Sequence, residues 1–156
     1  MEPETLSSTH LLTLHLDVDF AGMLGIGAMS QGRRRIAPIV GGRFEGNRLK
    51  GTVLPGGADW VINRPDGVMV IDVRITLKTD DDALIYCTYQ GTFRAEPEVM
   101  ARFNRGEQLS QAEYLLRTVV RFEAGAEAYR WLNDIMAIGV GRQTPAGPIY
   151  TVFEVT

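Results

Sequence analysis

The sequence predicts an all-β fold, a single antiparallel β-barrel carrying one or two short helices. Three observations lead there. Segments alternate cleanly between apolar and polar residues, as in Leu11–Phe20 and Val68–Lys78. Tight turn signals rich in glycine, proline and aspartate recur at short spacing. Helical periodicity is confined to two brief stretches. A closed barrel is favoured over a sandwich because closure removes the free edges that so many strands would leave.

The elements follow in chain order. Residues 1–9 read as a flexible N-terminal segment ahead of a barrel domain spanning 1–156. In Leu11–Phe20, Leu12, Leu14, Leu16, Val18 and Phe20 share one face, and Thr13, His15, Asp17 and Asp19 share the other. Ala21–Gly27 is a glycine-spaced segment read as flexible. Arg33–Val40 forms the next strand and runs into Gly41-Gly42. Arg43–Leu54 is a strand pair broken at Gly46-Asn47, a hairpin signal. Val68–Lys78 buries Met69, Ile71, Val73, Ile75 and Leu77, and Asp80-Asp81-Asp82 turns the chain into Leu84–Phe93. Strands at Arg117–Glu123, Ile135–Arg142 and Ile149–Val155 complete the set. Pro97–Phe103 starts a helix with proline in the first turn. Ala126–Asn133 spaces Tyr129 and Leu132 to plug a barrel end.

Composition narrows the function. The 156 residues are 45% hydrophobic and 22% charged, with a net charge of −3 and a pI near 5.4. One domain of this length buries most of its apolar surface without staples. The acidic balance gives no electrostatic footprint for nucleic acid, since Arg33-Arg34-Arg35 is the one basic run. Cys87 is the single cysteine, which excludes an internal disulfide and fits a reducing cytoplasm. No run of about 18 apolar residues suggests a membrane span, and the polar, acidic start MEPETLSSTH is unlike a signal peptide.

Candidate site groups cluster between Gly51 and Tyr86. Pro55-Gly56-Gly57-Ala58 leads into Asp59-Trp60, where an apolar wall beside a carboxylate would raise its pKa toward neutrality. A barrel corner with a core tryptophan is the equal alternative. Asp72 and Arg74, two apart on a strand, share a face. They either line a cavity, with the arginine on a carboxylate or carbonyl, or form a surface ion pair. Arg64 and Asp66 flank Pro65, with Asp66 read as a turn former. Tyr114 and Arg117 would hold a ligand oxygen together or lie on the surface. Tyr86 and Tyr89 fall on opposite strand faces, so at most one enters a cavity. Trp131 reads as core, as does Cys87. His10 and His15 lie on opposite faces without a ligand pattern around them, so no metal site is expected. Ser30 lacks a nucleophile-elbow context, and Gly25-Ile26-Gly27 has no βαβ unit to make it a nucleotide fingerprint.

A set of motifs adds to this reading. GGRFEG (Gly41–Gly46), GTVLPGGADW (Gly51–Trp60), R-x-DG (Arg64–Gly67), DVRITLKTDD-x-ALIY (Asp72–Tyr86), Y-x-x-RT (Tyr114–Thr118) and Y-x-WLN (Tyr129–Asn133) run in order along nearly the whole chain. Together they resemble a bacterial and fungal family of small proteins, domain of unknown function 3237. The resemblance implies a barrel of the broad lipocalin-like kind, found as a homodimer or higher homo-oligomer. It carries no assigned activity. The chain departs from the family pattern at Leu115, Leu116, Val119-Val120 and Ile75, which implies a more aliphatic pocket wall near Arg117.

With that resemblance, Asp59, Asp72 and Arg64 stand as candidate catalytic residues, and Trp60, Arg74, Tyr114 and Arg117 as ligand-binding ones. The expected function is a cofactor-independent acid–base enzyme of isomerase, cyclase, hydratase or lyase type. Its substrate would be a small, oxygenated, partly hydrophobic compound. Asp59 or Asp72 would move the proton, Arg64, Arg74 or Arg117 would stabilise the oxyanion, and Trp60 would stack on the substrate. A non-catalytic carrier barrel, or a structural subunit with a filled lumen, are the alternatives.

Overall fold

A computed structural model describes residues 1–156. Ten strands form one antiparallel sheet: β1 (Ser8–Val18), β2 (Leu24–Met29), β3 (Gly32–Glu45), β4 (Lys50–Val53), β5 (Gly57–Asn63), β6 (Met69–Thr79), β7 (Leu84–Ala95), β8 (Tyr114–Ala124), β9 (Met136–Thr144) and β10 (Gly147–Val155). Strands β6 to β10 follow one another as a meander, β10 pairs with β1, and β1 closes onto β3. The result is a closed eight-stranded barrel in which β4 and β5 share one position between β3 and β6. No helix is long and apolar enough to cross a membrane.

β3 organises this arrangement. Its first half pairs with β2 and β5, its second half with β1 and β4. Two strands expected on either side of Gly41-Gly42 are thus one bent strand. The pairing with β1 skips Val40, a bulge that lets the strand turn the corner. Gly42 sits there at φ +141, and a Cβ on it would lie 2.1 Å from the His15 carbonyl oxygen. Gly42→Ala is therefore expected to cost about 1–3 kcal/mol, because backbone must move on both strands. Urea unfolding monitored by tryptophan fluorescence checks it.

Other boundaries moved for identifiable reasons. The Ala21–Gly27 segment, expected to be flexible, largely becomes β2, which β3 templates along one edge. The glycine turn read as leading into Asp59-Trp60, at a site or a barrel corner, is followed directly by a strand, β5. Its burial does not alternate strictly, so the period-2 signal is blurred. β1 starts at Ser8, and Ser7 exchanges two backbone hydrogen bonds with Thr156, so the paired region begins ahead of His10. Phe20 lies past the end of β1 and is exposed. The Gly46-Asn47 hairpin and the aspartate turn form as expected. In the latter, Asp82 takes φ 67, a left-handed conformation aspartate tolerates.

Inward residues of every strand but β2, joined by Leu49, Met100 and Leu132, make one core of 28 buried side chains. One end is plugged by a 3₁₀ segment, Glu127–Asp134, which seats a fully buried Leu132. Asn133 clamps that plug by accepting from the Ala124 N–H (3.0 Å) and donating to the Ala124 carbonyl (2.7 Å). Tyr129 donates to Asp81 at 2.7 Å and ties it to the β6–β7 turn. Near the other end lies the helix α1 (Pro97–Asn104), docked through Phe103 onto Phe93. Phe93 is completely buried between Phe103 and Tyr114, both ring centroids 4.8 Å away.

Candidate active site in the barrel lumen

The barrel is not filled to that second end. A cavity of about 390 Å³ opens between the β1–β2 loop, the segment after α1 and the β9–β10 turn. This size suits a small organic ligand. Its walls are aliphatic, including Leu16, Ile39, Val61, Ile71 and Val73, and Phe20, Met23 and Phe103 line it too. Asp59, Arg35, Tyr89 and Tyr150 are set into these walls, and Asn104, Glu107, Gln108, Gln143 and Thr144 add polar groups where the cavity opens.

Strand pairing explains how they meet. Ala37 pairs with Asp59 and Arg35 with Val61, so Arg35 and Asp59 lie on the same, inward face of β3 and β5. Between β5 and β6 the ladder is interrupted at Trp60 and Val61, opposite Ile71 and Asp72. The two groups left over there find side chains instead. The Asp72 N–H donates to Asp59 Oδ1 at 3.0 Å, and the Trp60 carbonyl accepts from Arg34 Nη1 at 2.7 Å. Asp59 thus stands in for a strand carbonyl, which fixes its carboxylate in the wall. Tyr89 and Tyr150 face each other with ring centroids 4.8 Å apart and tilted by 57°.

The electrostatics follow from burial. Loss of water is the largest influence on Asp59 and pushes its pKa up from 3.8 to about 6. The neighbouring Asp72 charge adds to this, while the Asp72 N–H and Arg35 oppose it. Burial, aided by the Asp59 charge, raises both tyrosines, so both remain phenols that donate hydrogen bonds. Arg35 is lowered, chiefly by burial. Its Nε donates to Asn63 Oδ1 at 3.0 Å, and Nη2 lies 3.9 Å from Met69 Sδ. A carboxyl group with a pKa near 6, two phenols and a guanidinium around one lumen can hold an oxygen and move a proton.

A raised carboxyl has a signed effect on stability. The folded state binds the Asp59 proton more tightly than the unfolded chain, so this contribution is fully present below about pH 4. It is lost as pH rises through about 6. The loss is on the order of 3 kcal/mol for a shift of roughly two units. Exposed Asp66, Asp81 and Glu113, all lowered by hydrogen bonds, work in the opposite sense. The difference between wild type and Asp59→Asn isolates the buried group. The variant is expected to be the more stable protein at pH 7.5 and to lose that advantage at pH 4.5, as read from urea midpoints.

Of the sequence candidates, only Asp59 lies on the cavity. Because Asp59 and Val61 line the lumen, Trp60 projects from the opposite face, with the Arg74 guanidinium 5.0 Å from its ring centroid. β6 buries Met69, Ile71 and Val73, which turns Asp72 and Arg74 outward. Asp72 there accepts from Gln90 Nε2 at 3.3 Å and reaches the site only through its backbone N–H. Arg64 is exposed in the β5–β6 turn and paired with Asp66. β8 buries Leu116 and Thr118, so Arg117 points out and bonds the Leu116 carbonyl at 3.0 Å. Tyr114 is inward but packs on Phe93, its hydroxyl accepting the Gln143 N–H at 2.8 Å. No three histidine, cysteine, aspartate or glutamate side chains converge anywhere in the fold.

Sequence reasoning missed Arg35, Tyr89 and Tyr150 as site residues. Arg35 did leave a signal. It occupies the same alternating face as Ala37 and Ile39, where a charge is out of place.

Comparison with known proteins agrees with this architecture. The family described as protein of unknown function (DUF3237) matches residues 6–155. A UPF0311 protein of Rhodopseudomonas palustris is 34% identical over 138 residues, covering 86% of this chain and 87% of its own. A crystal structure of a β-barrel-like protein from Acinetobacter baumannii superposes with a TM-score of 0.85 at 32% identity, covering 99% of both chains. A crystal structure of an enzyme from Penicillium herquei has the same fold, with a TM-score of 0.76 at 19% identity over 100% of this chain and 98% of that one.

Proposed function

This chain belongs to the family of proteins of unknown function DUF3237, and from that premise we propose that it is a cofactor-independent acid–base enzyme. It acts on a small, oxygenated, partly hydrophobic organic compound bound in the barrel lumen. The reaction is an isomerisation, cyclisation, hydration or elimination in which Asp59 carries the proton. The observation that carries this reading is the Asp59 carboxyl itself. It is held in an apolar cavity wall by one backbone N–H, with a pKa of about 6 and Arg35, Tyr89 and Tyr150 around the same lumen.

A proton-transfer group works best when its pKa lies near the operating pH, and a buried carboxyl near 6 meets that condition. Arg35 and the two phenols supply donors for an oxygen that gains negative charge during the transfer. Arg64, Asp72, Arg74, Trp60, Arg117 and Tyr114 have no direct part in this scheme. The Penicillium herquei protein is described as an enzyme, but at that identity it lends the fold alone. The largely apolar wall favours a second reading, a carrier that binds such a compound without changing it.

Incubation with cyclic ketones, enones and lactones in D2O separates the two. Wild type is expected to exchange hydrogen for deuterium beside the carbonyl of at least one compound, or to convert it, and Asp59→Asn is expected to do neither. Compounds that bind and remain unchanged with both proteins make the barrel a carrier.

A further inference from the structure

Arg35 is a cation in the lumen with no contact ion pair, the Asp59 charge acting on it only from beyond that range. Its Nε is occupied by Asn63, Nη2 meets only the Met69 sulfur, and Nη1 has no partner. No carboxylate oxygen lies within 4.0 Å of its guanidinium nitrogens. The other acid on the cavity, Glu107, is engaged by Arg102 and Arg105, at 3.8 and 2.8 Å. Asp59 has one oxygen committed to the Asp72 N–H. Of the other polar groups, Tyr89 and Tyr150 are neutral phenols, and Asn104, Gln108, Gln143 and Thr144 lie where the cavity opens. The lumen therefore sets donors and one positive charge against a largely aliphatic wall, with uncharged polar side chains and the engaged Glu107 where it opens.

We propose that the cavity takes a flat hydrophobic monoanion, an aromatic monocarboxylic acid, with its carboxylate on Arg35 and its ring system between the aliphatic walls. A guanidinium oriented by a side-chain hydrogen bond suits the planar geometry of a carboxylate. About 390 Å³ accommodates a fused bicyclic ring. The inference concerns the same lumen as the proposed reaction and names its ligand class.

A carboxylate on Arg35 also comes near Asp59, and two anions in one largely apolar lumen repel each other. Binding therefore draws a proton onto Asp59. The groups coupled to Asp59 are Arg35 from β3, Tyr89 from β7 and Tyr150 from β10 around the lumen, and the outward-turned Asp72 of β6 across the strand. The arginine stays charged and the phenols neutral. Asp59 alone changes charge between pH 5.5 and 7.5, so affinity falls as pH rises.

The test uses 2-naphthoate and its neutral counterpart 2-naphthamide, titrated calorimetrically and by ¹H–¹⁵N NMR at pH 5.5 and 7.5. In wild type the acid is expected to bind at least tenfold more tightly than the amide at pH 5.5, with shifts confined to lumen residues. Its affinity should fall about tenfold by pH 7.5. Arg35→Met should erase the preference for the acid, and Asp59→Asn should retain binding but lose the pH dependence. If Arg35→Met fails to fold, Arg35→Gln, which still donates to Asn63, carries the same expectation. Equal binding of acid and amide overturns the proposal, as does binding of neither or a preference that survives loss of Arg35. None of these readouts needs turnover, so anion binding without deuterium exchange sinks the catalytic reading alone.

Discussion

Asp59→Asn is expected to reduce turnover of any converted compound at least a hundredfold while changing its affinity little. Positioned general acids and bases commonly contribute factors of about 10²–10⁴. Asparagine has the same shape and still accepts the Asp72 N–H through its carbonyl oxygen, so the β5–β6 gap and the lumen keep their form. What disappears is a proton that can leave and return near neutral pH. Comparing kcat with KM makes the distinction: a fall in kcat at unchanged KM assigns proton transfer to Asp59. A rise in KM alone assigns it to binding, and the catalytic proposal fails. The gain in stability expected of the same variant at pH 7.5 gives an independent check that the folded protein is being assayed. Sites that bury a charge for function commonly sacrifice stability to do so.

Phe93→Ala is expected to be the most damaging simple truncation of the fold, costing about 3–5 kcal/mol. The ring is fully buried and stacks on one side with Phe103 of α1 and on the other with Tyr114 of β8. Its loss leaves a cavity that β7 and β8, fixed by their ladder, cannot close. Phe103 then loses its seat, and with it α1 and the following segment that lines the lumen entrance. The expected outcome in guanidinium unfolding is a lower midpoint with an unchanged slope, together with weakened ligand binding. A cost below about 1 kcal/mol would mean that α1 docks by some other contact.

The barrel class was legible because alternation persists wherever one strand face is dry and the other wet. β6 shows this cleanly, with Met69, Ile71, Val73, Ile75 and Leu77 buried in turn. The logic weakened where that contrast fades. β2 is exposed on nearly every residue, so its strand character comes from pairing with β3 and not from its own pattern. β5 carries an aspartate inward and a tryptophan outward, the reverse of what the side chains alone suggest. Asp59 could be named from the sequence because the glycine-rich approach and the adjacent aromatic marked an unusual carboxylate. Its surroundings could not, because Arg35, Tyr89 and Tyr150 come from strands far apart in the chain and meet only through barrel closure. Arg74 and Arg117 were the opposite case. They lay within conspicuous motifs, yet strand parity directs both to the outer face.

The pairing of β1 with both β10 and β3 carries a consequence for how the molecule is made. On a ribosome, β1 emerges ahead of the other nine strands, and its β3 neighbour follows within a few seconds at about 5–20 residues per second. Its other neighbour, β10, is the last strand to appear, and the Ser7–Thr156 hydrogen bonds lie at the seam between them. Until that strand arrives, Leu12, Leu14 and Leu16 have only half a wall to lean on, and β1 presents a bare edge to its surroundings. Until β10 pairs, the sheet is thus open along β1, with an unpaired edge able to template another strand. The lumen with Asp59 in its wall takes shape only once β10 has joined β1.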